Sequence, residues 1–380
     1  MQEKNRMGPS LYIHIPFCSR KCGYCDFYSV AYDETLASSY VDTLIQQMEE
    51  IEEDVSTVFI GGGTPTALSV LLLKKFLRGT RKFAGRSVEF SVEANPESLT
   101  VEKLDLFLDE GVNRLSIGVQ SFSDAKLKRL GRIHNAKKAV DSVMLAKKKG
   151  FGNLNIDLIF GAPEETVGQC LEEFKRAAEL PVTHISCYCL TYEKGTPLFE
   201  ARKKGKVVAS DEEYPARMYS SAIDFFPRHG FSHYEVSNFA KEGFACRHNL
   251  NYWENGEYFG LGASAVSYIG GVRKKNIADV KEYIGKAASG KSTSVSSERL
   301  TGERKARETA AVKIRMAEGI DFSWFKRKTG YDLLKIEDDA LKKFSGAGLI
   351  KYRVSEDEKA GIFLTKKGFL FCDTVSSGLL

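Results

Sequence analysis

The 380-residue sequence lacks several features that would assign it to a class at once. It contains no run of about 18 consecutive apolar residues, so we expect no membrane-spanning helix. Its polar start, MQEKNRMGPS, has no apolar segment of the kind found in secretory signals, which predicts a cytoplasmic protein. Its eight cysteines are too few and too unevenly spaced for a disulfide scaffold.

A strong charge of one sign is also missing. The chain has 55 Lys and Arg residues against 50 Asp and Glu residues, a formal excess of five positive charges. The basic residues are scattered along the chain, whereas nucleic-acid binding usually concentrates them in one patch. We therefore expect no nucleic-acid partner, and a small anionic ligand fits the same balance.

Three of the eight cysteines stand close together in YIHIPFCSRKCGYCDFYSV. Cys18, Cys22 and Cys25 have C-x3-C-x2-C spacing, which leaves three interpretations open. A zinc site needs four ligands and could be completed by Cys246 or His248. A redox pair of Cys22 and Cys25 would leave Cys18 without a role. An iron–sulfur cluster held by three thiolates would keep one iron open for a small molecule that carries an amine and a carboxylate.

Short apolar runs alternate with amphipathic helices over the first half of the chain. DETLASSYVDTLIQQMEEIEE, for example, places apolar residues at three- and four-residue spacing, which predicts a helix. Candidate strands, each followed by a polar loop, occur in LYIHI, STVFIGGGTP, VEFSVEANPESL, RLSIGVQSF, LNIDLIFGAP and HISCYCLTYEKGTPL. A unit of strand, loop and helix recurs about every 25–35 residues, as in parallel β/α proteins. The predicted fold class is α/β, a partial (β/α)6 barrel of TIM type, with a doubly wound sheet as the alternative.

Polar residues follow several of these strands. The cysteine motif, the glycines of GGGTP, Glu93, Gln120 and Asp157 each lie at or just after a predicted strand. Asp157 stands between Ile156 and Leu158, where a buried carboxylate is costly unless it has a partner. Because ligands bind at the carboxyl ends of the strands in both candidate folds, we expect these residues to share one edge of the sheet.

Composition divides the chain into two predicted domains. Residues 1–285 form the barrel, with an extension over about 230–285, and residues 286–305, rich in Ser, Gly and Lys, form a linker. Residues 306–380 combine helical segments with a hairpin in GLIKYRVSEDEKAGIFLTKKGF, which predicts a small winged-helix-like domain. Such a domain can read DNA, but Glu and Asp interrupt its basic runs, which favours a packing module.

The cysteine motif, placed directly after the first strand with GGGTP after the second, resembles the signature of the radical S-adenosylmethionine (SAM) superfamily. Further motifs narrow the resemblance: YIHIPFC, FIGGGTP, VEANPESL, RLSIGVQSF, GRIH, NIDLIFGAP and CRHNLNYW. Together they resemble the family of HemN, an oxygen-independent coproporphyrinogen III dehydrogenase, and HemW, its haem-chaperone relative. The motifs run in order from Tyr12 to about Gly262, and the C-terminal segment resembles that family as well.

The resemblance implies a site for two cofactors. Cys18, Cys22 and Cys25 would bind a [4Fe–4S] cluster. The positions that would contact the cluster or SAM are Tyr12, Tyr24, Gly62, Gly63, Thr64, Glu93, Gln120, Arg132 and Asp157. Glu93 would accept hydrogen bonds from the ribose hydroxyls, and Arg132 would suit the methionine carboxylate or another anion. The same residue types also occur as core aromatics, turn glycines and ion-pair partners, so these roles rest on the resemblance.

Two departures indicate the haem-chaperone branch of the family. The dehydrogenases have a fourth cysteine where this chain has Phe27, and a longer segment before the position of Tyr12. CRHNLNYWENGEYFGLGASA contains the H-N-x-x-Y-W pattern of the chaperone branch, which makes His248 the candidate haem contact. Val266 occupies a position at which that branch usually has a histidine.

The resemblance therefore implies a cytoplasmic chaperone that binds a [4Fe–4S] cluster, SAM and haem, with no catalytic residue assigned. Its partners would be haem, the membrane haem proteins that accept it during peripheral contact with the membrane, and an electron donor such as a flavodoxin or ferredoxin if SAM is cleaved. The alternative is a radical SAM tetrapyrrole enzyme, such as an oxygen-independent coproporphyrinogen III dehydrogenase. In either case the cofactors supply the difficult chemistry and the protein orients them.

Overall fold

The structure of the chain, a computed structural model, describes residues 8–85, 88–209, 211, 213–355 and 358–380. The strands of these residues are β1 (Ser10–Ile15), β2 (Phe17–Cys18), β3 (Val30–Ala31), β4 (Thr57–Gly62), β5 (Glu89–Ala94), β6 (Arg114–Gln120), β7 (Asn153–Phe160), β8 (His184–Cys189), β9 (Ser232–Glu235), β10 (Asn238–Ala240), β11 (Tyr258–Leu261), β12 (Val266–Ile269), β13 (Val272–Asn276), β14 (Ser294–Arg299), β15 (Ile320–Asp321), β16 (Ile350–Ser355) and β17 (Glu358–Leu364). The α-helices are α1 (Glu34–Glu49), α2 (Val70–Thr80), α3 (Val101–Asp109), α4 (Asp124–Leu130), α5 (Ala136–Lys149), α6 (Val167–Glu179), α7 (Pro197–Lys203), α8 (Glu213–Arg228), α9 (Arg247–Trp253), α10 (Val280–Ala288), α11 (Gly302–Lys313), α12 (Phe322–Thr329), α13 (Leu333–Ile336), α14 (Asp338–Gly346), α15 (Lys366–Leu370) and α16 (Cys372–Ser377), and two 3-10 helices span Pro65–Ala67 and Arg81–Phe83. In this described part of the chain, no helix is long and apolar enough to cross a bilayer.

A twelve-stranded sheet forms the centre of the molecule, in the order β14-β13-β12-β11-β1-β4-β5-β6-β7-β8-β10-β9. The strands from β11 to β8 are parallel, and the strands beyond them on both sides are antiparallel. The predicted α/β class is confirmed, with its six β/α units at β1 and β4 to β8. The outer strands of this set pair with other strands, β1 with β11 and β8 with β10. The six strands therefore do not close on one another as a complete barrel.

One side of the parallel strands is apolar and forms the main core. It presents Leu11, Ile13, Ile60, Val92 and Ile117, each of which is fully buried. Alternate residues of a strand point to opposite sides of the sheet, so these side chains all face the covering helices. Burial of each such side chain contributes about 1.5–3 kcal/mol to the stability of this layer.

Helix α1 covers part of this apolar side. It begins where the side chain of Asp33 accepts a hydrogen bond from the N–H of Leu36 (2.8 Å), an arrangement that satisfies one free donor of the first turn. Tyr40, Leu44 and Met48 are buried in the core at the four-residue spacing that the sequence predicted. The helix prediction for this segment is therefore correct.

The other side of the parallel strands is polar, which the sequence analysis did not predict. Strand pairing aligns Glu93, Ser116, Asn155 and His184 across β5 to β8. Asn155 donates to Ser116 Oγ (2.7 Å), and its amide oxygen lies 2.5 Å from Nδ1 of His184. Parallel sheets are usually apolar on both faces, so a polar face that satisfies its own hydrogen bonds indicates a ligand site.

Helix α9 lies at the amino-terminal edge of the strands. Glu89, the first residue of β5, accepts hydrogen bonds from the N–H groups of Arg247 (3.0 Å) and His248 (3.1 Å) and lies 3.4 Å from the thiol of Cys246. Arg114, the first residue of β6, is buried beside this carboxylate. A buried carboxylate therefore holds the CRHNLNYW segment at the amino-terminal edge of the strands, opposite to their carboxyl ends.

Residues 286–305, predicted as a linker, contain regular structure. Helix α10 ends within them, and β14 pairs with β13, with Glu298 opposite Arg273. The side chains of β14 are mostly exposed, so backbone pairing rather than apolar burial holds this edge strand. The Ser-rich composition of this segment therefore did not indicate β14. The division of the chain into domains stays a prediction.

The C-terminal part of the chain packs helices α11 to α16 around a three-stranded sheet of order β15-β17-β16. The predicted hairpin is present, with Ile350 of β16 opposite Leu364 of β17. This winged-helix-like unit contacts the first part of the chain through an ion pair between Lys366 and Asp224 (2.5 Å).

Candidate functional site

A cavity of about 470 Å3 opens at the carboxyl-terminal edge of the parallel strands. The structure places most of the predicted site residues in its wall. They are Cys18, Cys22, Tyr24, Cys25, Gly62, Gly63, Thr64, Glu93, Gln120, Arg132 and Asp157. Of the predicted site residues, Tyr12 and His248 lie elsewhere. The predicted residues that follow different strands therefore do lie together at the carboxyl-terminal edge of the sheet.

Backbone hydrogen bonds to two neighbouring segments hold the cysteine loop. The N–H of Gly23 donates to the carbonyl of Leu130 at the end of α4 (3.1 Å), and the N–H of Leu198 in α7 donates to the carbonyl of Gly23 (2.8 Å). Gly131 follows α4 with φ of 76°, and a Cβ there would lie 3.0 Å from the nitrogen of Gly23. A side chain at that position would therefore push the cysteine loop away from α4.

The three thiols face hydrogen-bond donors. All are free cysteines; Cys18 Sγ lies 3.5 Å from the hydroxyl of Thr64, and Cys22 Sγ accepts a hydrogen bond from Arg132 (3.4 Å). Burial raises the pKa of Cys25 to about 11, so metal binding there would have to displace the thiol proton. Donors directed at the sulfur atoms stabilise thiolates and suit an anionic iron–sulfur cluster.

A zinc site on this loop is disfavoured by the positions of its suggested further ligands. Cys246 and His248 lie at the amino-terminal edge of the strands, held by Glu89. Within the residues that the structure describes, no group of three His, Cys, Asp or Glu side chains is arranged to hold a single metal ion. Three thiols with no fourth ligand among the described residues suit an iron–sulfur cluster that keeps one iron open.

Glycines at the end of β4 and directly after it bring the chain close to β1 and β2. The N–H of Gly63 donates to the carbonyl of Ile15 and the N–H of Thr64 to that of Phe17, both at 2.8 Å. A Cβ on Gly63 would lie 2.8 Å from the carbonyl oxygen of Phe17, and Gly62 has φ of 112°, which favours glycine. Glycine at these positions therefore lets Thr64 reach the first cysteine.

Two carboxylates, Glu93 and Asp157, lie in the cavity wall. The N–H of Gly62 donates to Glu93 (3.1 Å), while burial and the nearby charge of Asp157 raise the pKa of Glu93 to about 7. Asp157 accepts hydrogen bonds from Asn155 (2.8 Å) and Ser116 (3.3 Å), and burial raises its pKa as well. The pair supplies acceptors for ligand hydroxyl groups, with a charge that changes near neutral pH.

Arg132 connects the cysteine loop with the ends of the strands. Its guanidinium donates to Asn95 (2.6 Å), to the carbonyl of Gly118 (3.0 Å) and to Cys22 (3.4 Å). Asn95 in turn donates to Thr64 (2.9 Å). The side chain of Arg132 is 5% exposed, and its Nε has no hydrogen-bond partner among the described residues. An orphaned charged donor in a cavity wall fits an anionic ligand group.

Gln120 and Tyr24 complete the predicted part of the wall. Gln120 ends β6 with φ of 64°, a left-handed conformation that costs about 1–3 kcal/mol and is concentrated at ligand sites. Tyr24 packs against the apolar cluster that contains Leu130 and Leu198, and burial raises its pKa above the usual range. Both side chains are therefore positioned by contacts outside the cysteine motif.

Tyr12 lines a second cleft of about 320 Å3 rather than the cavity. The residues of this aromatic cleft are Tyr12, His14, Phe27, Tyr28, Tyr252, Tyr258, Ser264, Ala265 and Val266. The hydroxyl of Tyr12 lies 2.9 Å from Nδ1 of His14. Phe27 is 65% exposed and lines both the cleft and the cavity, so it marks the junction of the two.

His248 lines neither the cavity nor the aromatic cleft. Its Nδ1 lies 2.7 Å from the hydroxyl of Thr57, and its Nε2 lies 3.1 Å from the hydroxyl of Tyr252. Burial lowers its pKa to about 3, so the ring is neutral. Because both ring nitrogens are engaged, contact with haem iron would require the release of one of these bonds. The haem role of His248 stays a prediction.

Sequence reasoning missed several residues of the site. The cavity wall also contains Asn95, Ser116, Tyr188 and Cys189. Asn155 donates a hydrogen bond to Asp157. A signal was available, because polar residues occupy alternate positions of strands that are otherwise apolar, as Asn155 and Asp157 do in β7. The end-of-strand rule alone does not find such residues.

Comparisons with known sequences agree with this geometry. Residues 12–178 match the radical SAM superfamily, and residues 300–371 match the HemN C-terminal domain. The chain is 36% identical to "Heme chaperone HemW" of Bacillus subtilis (strain 168), over 98% of this chain and 99% of that protein. It is 35% identical to the protein of that name in Lactococcus lactis, over 95% and 94%, and 39% identical to that of Escherichia coli (strain K12), over 67% and 69%.

A solved structure shares the fold. The coproporphyrinogen III oxidase HemN from Escherichia coli, which is described as a radical SAM enzyme, matches with a TM-score of 0.84, over 98% of this chain and 90% of that chain. At 24% identity, this likeness shows the fold and no more. The α/β radical SAM fold with its C-terminal domain is thereby established.

Proposed function

The chain belongs to the family of the heme chaperone HemW within the radical SAM superfamily, and we propose on that basis that it binds a [4Fe–4S] cluster, SAM and haem. It would deliver the haem to membrane haem proteins from the cytoplasmic side. The observation that carries this proposal is the aromatic cleft that adjoins the cavity at Phe27. A polar cavity for two cofactors beside a slot for a flat apolar ligand would let one chain hold all three.

The cavity wall divides between the cluster and SAM. Cys18, Cys22 and Cys25 would bind three irons of the cluster, which leaves the fourth iron for the amine and carboxylate of SAM. Arg132, with its orphaned Nε, would pair with the methionine carboxylate. When bound, the cluster and SAM supply one-electron chemistry that can generate an organic radical. The protein's own contribution is to orient the ligand and hold its charged groups.

Glu93 would accept hydrogen bonds from the ribose hydroxyls of SAM, which predicts a pH-dependent affinity. Because the pKa of Glu93 is raised to about 7, its carboxylate is mostly ionised at pH 8 and mostly protonated at pH 6. Protonation removes acceptor capacity, so the Kd for SAM should rise about tenfold between pH 8 and pH 6. Anaerobic isothermal titration calorimetry across this range measures the change.

Glu93→Gln is the matched control, because it keeps the shape of the side chain and does not titrate. The amine of SAM titrates in the same range, so the profile of the variant reports the ligand's own contribution. A wild-type profile no steeper than that of the variant would exclude a role for Glu93 ionisation.

The aromatic cleft would hold the porphyrin. Tyr252 belongs to the H-N-x-x-Y-W segment, and Val266 occupies the position at which the chaperone pattern usually has a histidine; both line this cleft. Aromatic side chains supply large apolar faces for a flat ligand. The convergence of two segments that the sequence linked to haem supports this placement.

A radical SAM dehydrogenase that acts on coproporphyrinogen III is the second candidate, because the fold matches that of HemN over 98% of the chain. We expect no protoporphyrinogen when the reconstituted protein is incubated anaerobically with SAM, a reductant and coproporphyrinogen III. Chromatography of the products measures this, with HemN of Escherichia coli as the positive control. Protoporphyrinogen formation at a comparable rate would reject the chaperone-only interpretation.

A further inference from the structure

Two segments that are distant in the sequence adjoin the cysteine loop, residues 19–27. They are residues 128–131, at the end of α4, and residues 191–208, which include α7. The hydrogen bonds of Gly23 to Leu130 and Leu198 join the three segments. The cysteine loop is therefore surrounded by the side chains that these segments expose.

These side chains are mainly basic, and we call them the basic collar. The collar consists of Arg20, Lys21, Lys128, Arg129, Lys194, Arg202, Lys203, Lys204 and Lys206, all exposed. The same segments contain three acidic residues, Asp26, Glu193 and Glu200. With Glu164 on a neighbouring loop, this region has nine basic and four acidic residues, an excess of five positive charges. That excess equals the formal charge of the whole chain, so the rest of the chain is formally neutral.

The collar has few internal partners. Arg129 forms an ion pair with Glu164 (3.1 Å), and Arg202 lies over the ring of Tyr192, 4.6 Å from its centroid. Among the described residues, the other collar side chains form no ion pair. Like charges that crowd one surface repel one another, and they raise the association rate of an oppositely charged partner.

We propose that the basic collar docks an acidic one-electron donor protein that carries a flavin or an iron–sulfur cluster. This inference rests on the proposed function, because the loop at the centre of the collar would hold the [4Fe–4S] cluster. One electron would pass from the reduced donor to the bound cluster, so that the donor is oxidised by one electron and no atom is transferred. The collar thus places the donor where the electron must arrive.

The centre of the collar also suits a small redox interface. Cys22 and Cys25 are partly exposed, and Phe27, next to them, is 65% exposed. An aromatic centre with a charged rim is typical of protein interfaces, and electron-transfer complexes use small ones. Arg20 and Lys21 line the same cavity as the thiols, and the other two segments of the collar are hydrogen-bonded to Gly23 of the cysteine loop. An electron donor therefore fits the collar better than a membrane surface does.

The test compares two double charge reversals. Lys203→Glu with Lys204→Glu alters the collar, whereas Lys147→Glu with Lys148→Glu alters the end of α5 at the opposite edge of the sheet. All four lysines are exposed and lie at helix C-termini, so both variants lose similar interactions with the helix dipole. Biolayer interferometry with an acidic flavodoxin measures association at low and high ionic strength.

We expect the collar variant to associate about tenfold more slowly than the wild type at low ionic strength, with a smaller difference at high salt. The control variant should match the wild type. Equal association rates for all three proteins, or rates independent of salt, would overturn the proposal. Binding of phosphatidylglycerol vesicles that depends on the collar, without binding of flavodoxin, would also overturn it. If the chain retains no iron after anaerobic reconstitution but still docks flavodoxin through the collar, the docking surface is supported and the [4Fe–4S] cluster of the proposed function is rejected.

Discussion

Replacement of Cys18, Cys22 and Cys25 together by alanine is expected to abolish cluster binding. The anaerobically reconstituted wild type should contain about four iron and four sulfide ions per chain, and the triple variant close to none. The three thiols line one wall of the cavity, so the triple variant removes every cysteine of the loop. Iron and sulfide analysis measures the loss, and the affinity for SAM should fall with it.

Cys189→Ala is the control for this variant. Cys189 lines the same cavity but comes from the end of β8 rather than from the loop, so its removal should leave the iron content near that of the wild type. Far-UV circular dichroism checks that the triple variant is folded. An undiminished iron content in the triple variant would overturn the cluster assignment.

Arg114→Leu is expected to lower the free energy of unfolding by about 3–5 kcal/mol, because it leaves buried acidic side chains without the positive charge near them. Arg114 is 2% exposed, and the charges of Glu89 and Asp157 act on its guanidinium. Burial alone would lower the pKa of Arg114, but the acidic groups around it raise it above the usual value. Its removal leaves those groups buried without a positive charge. Urea unfolding, followed by circular dichroism, measures the loss.

Arg304→Leu is the matched control for Arg114→Leu. Arg304 is exposed on α11, and its replacement should change the free energy of unfolding by no more than about 0.5 kcal/mol. Adding Glu89→Gln to Arg114→Leu should restore part of the loss, since it removes one of the uncompensated charges. A loss below about 1 kcal/mol in Arg114→Leu would show that this buried positive charge adds little stability.

The architecture was largely predictable from the sequence, because the apolar side of the strands and helices follows a simple period. Leu11 and Ile13 alternate with polar neighbours, and Tyr40, Leu44 and Met48 recur every four residues. The rule that ligands bind at the carboxyl ends of parallel strands then placed most of the site on one edge. Those two regularities need no knowledge of tertiary contacts.

Positions that depend on tertiary contacts were harder to predict. Tyr12 belongs to the same motif as the cysteines and lies on the polar side of the sheet, but it comes from the middle of β1, where its side chain lines the aromatic cleft instead of the cavity. The sequence predicts His248 as a haem contact, yet its two ring nitrogens already have partners in Thr57 and Tyr252. A motif specifies the order of residues along the chain, not the partners that occupy their polar atoms.

Charge distribution shows the same limit. The basic residues look scattered in the sequence, because the collar draws on three segments separated by up to about 180 residues. Only the fold, through contacts such as that between Gly23 and Leu198, brings these segments together. Strand β14 was missed for a related reason, since its exposed side chains follow no apolar pattern.

Titration of haem into the anaerobically reconstituted protein tests the central claim, that the chain is a haem carrier, most directly. We predict a change in the Soret band that saturates at about one haem per chain, as expected for one cleft of this kind. Tyr252→Ala, which alters the cleft wall, should weaken that binding. A Soret band that stays that of free haem throughout the titration would contradict the claim.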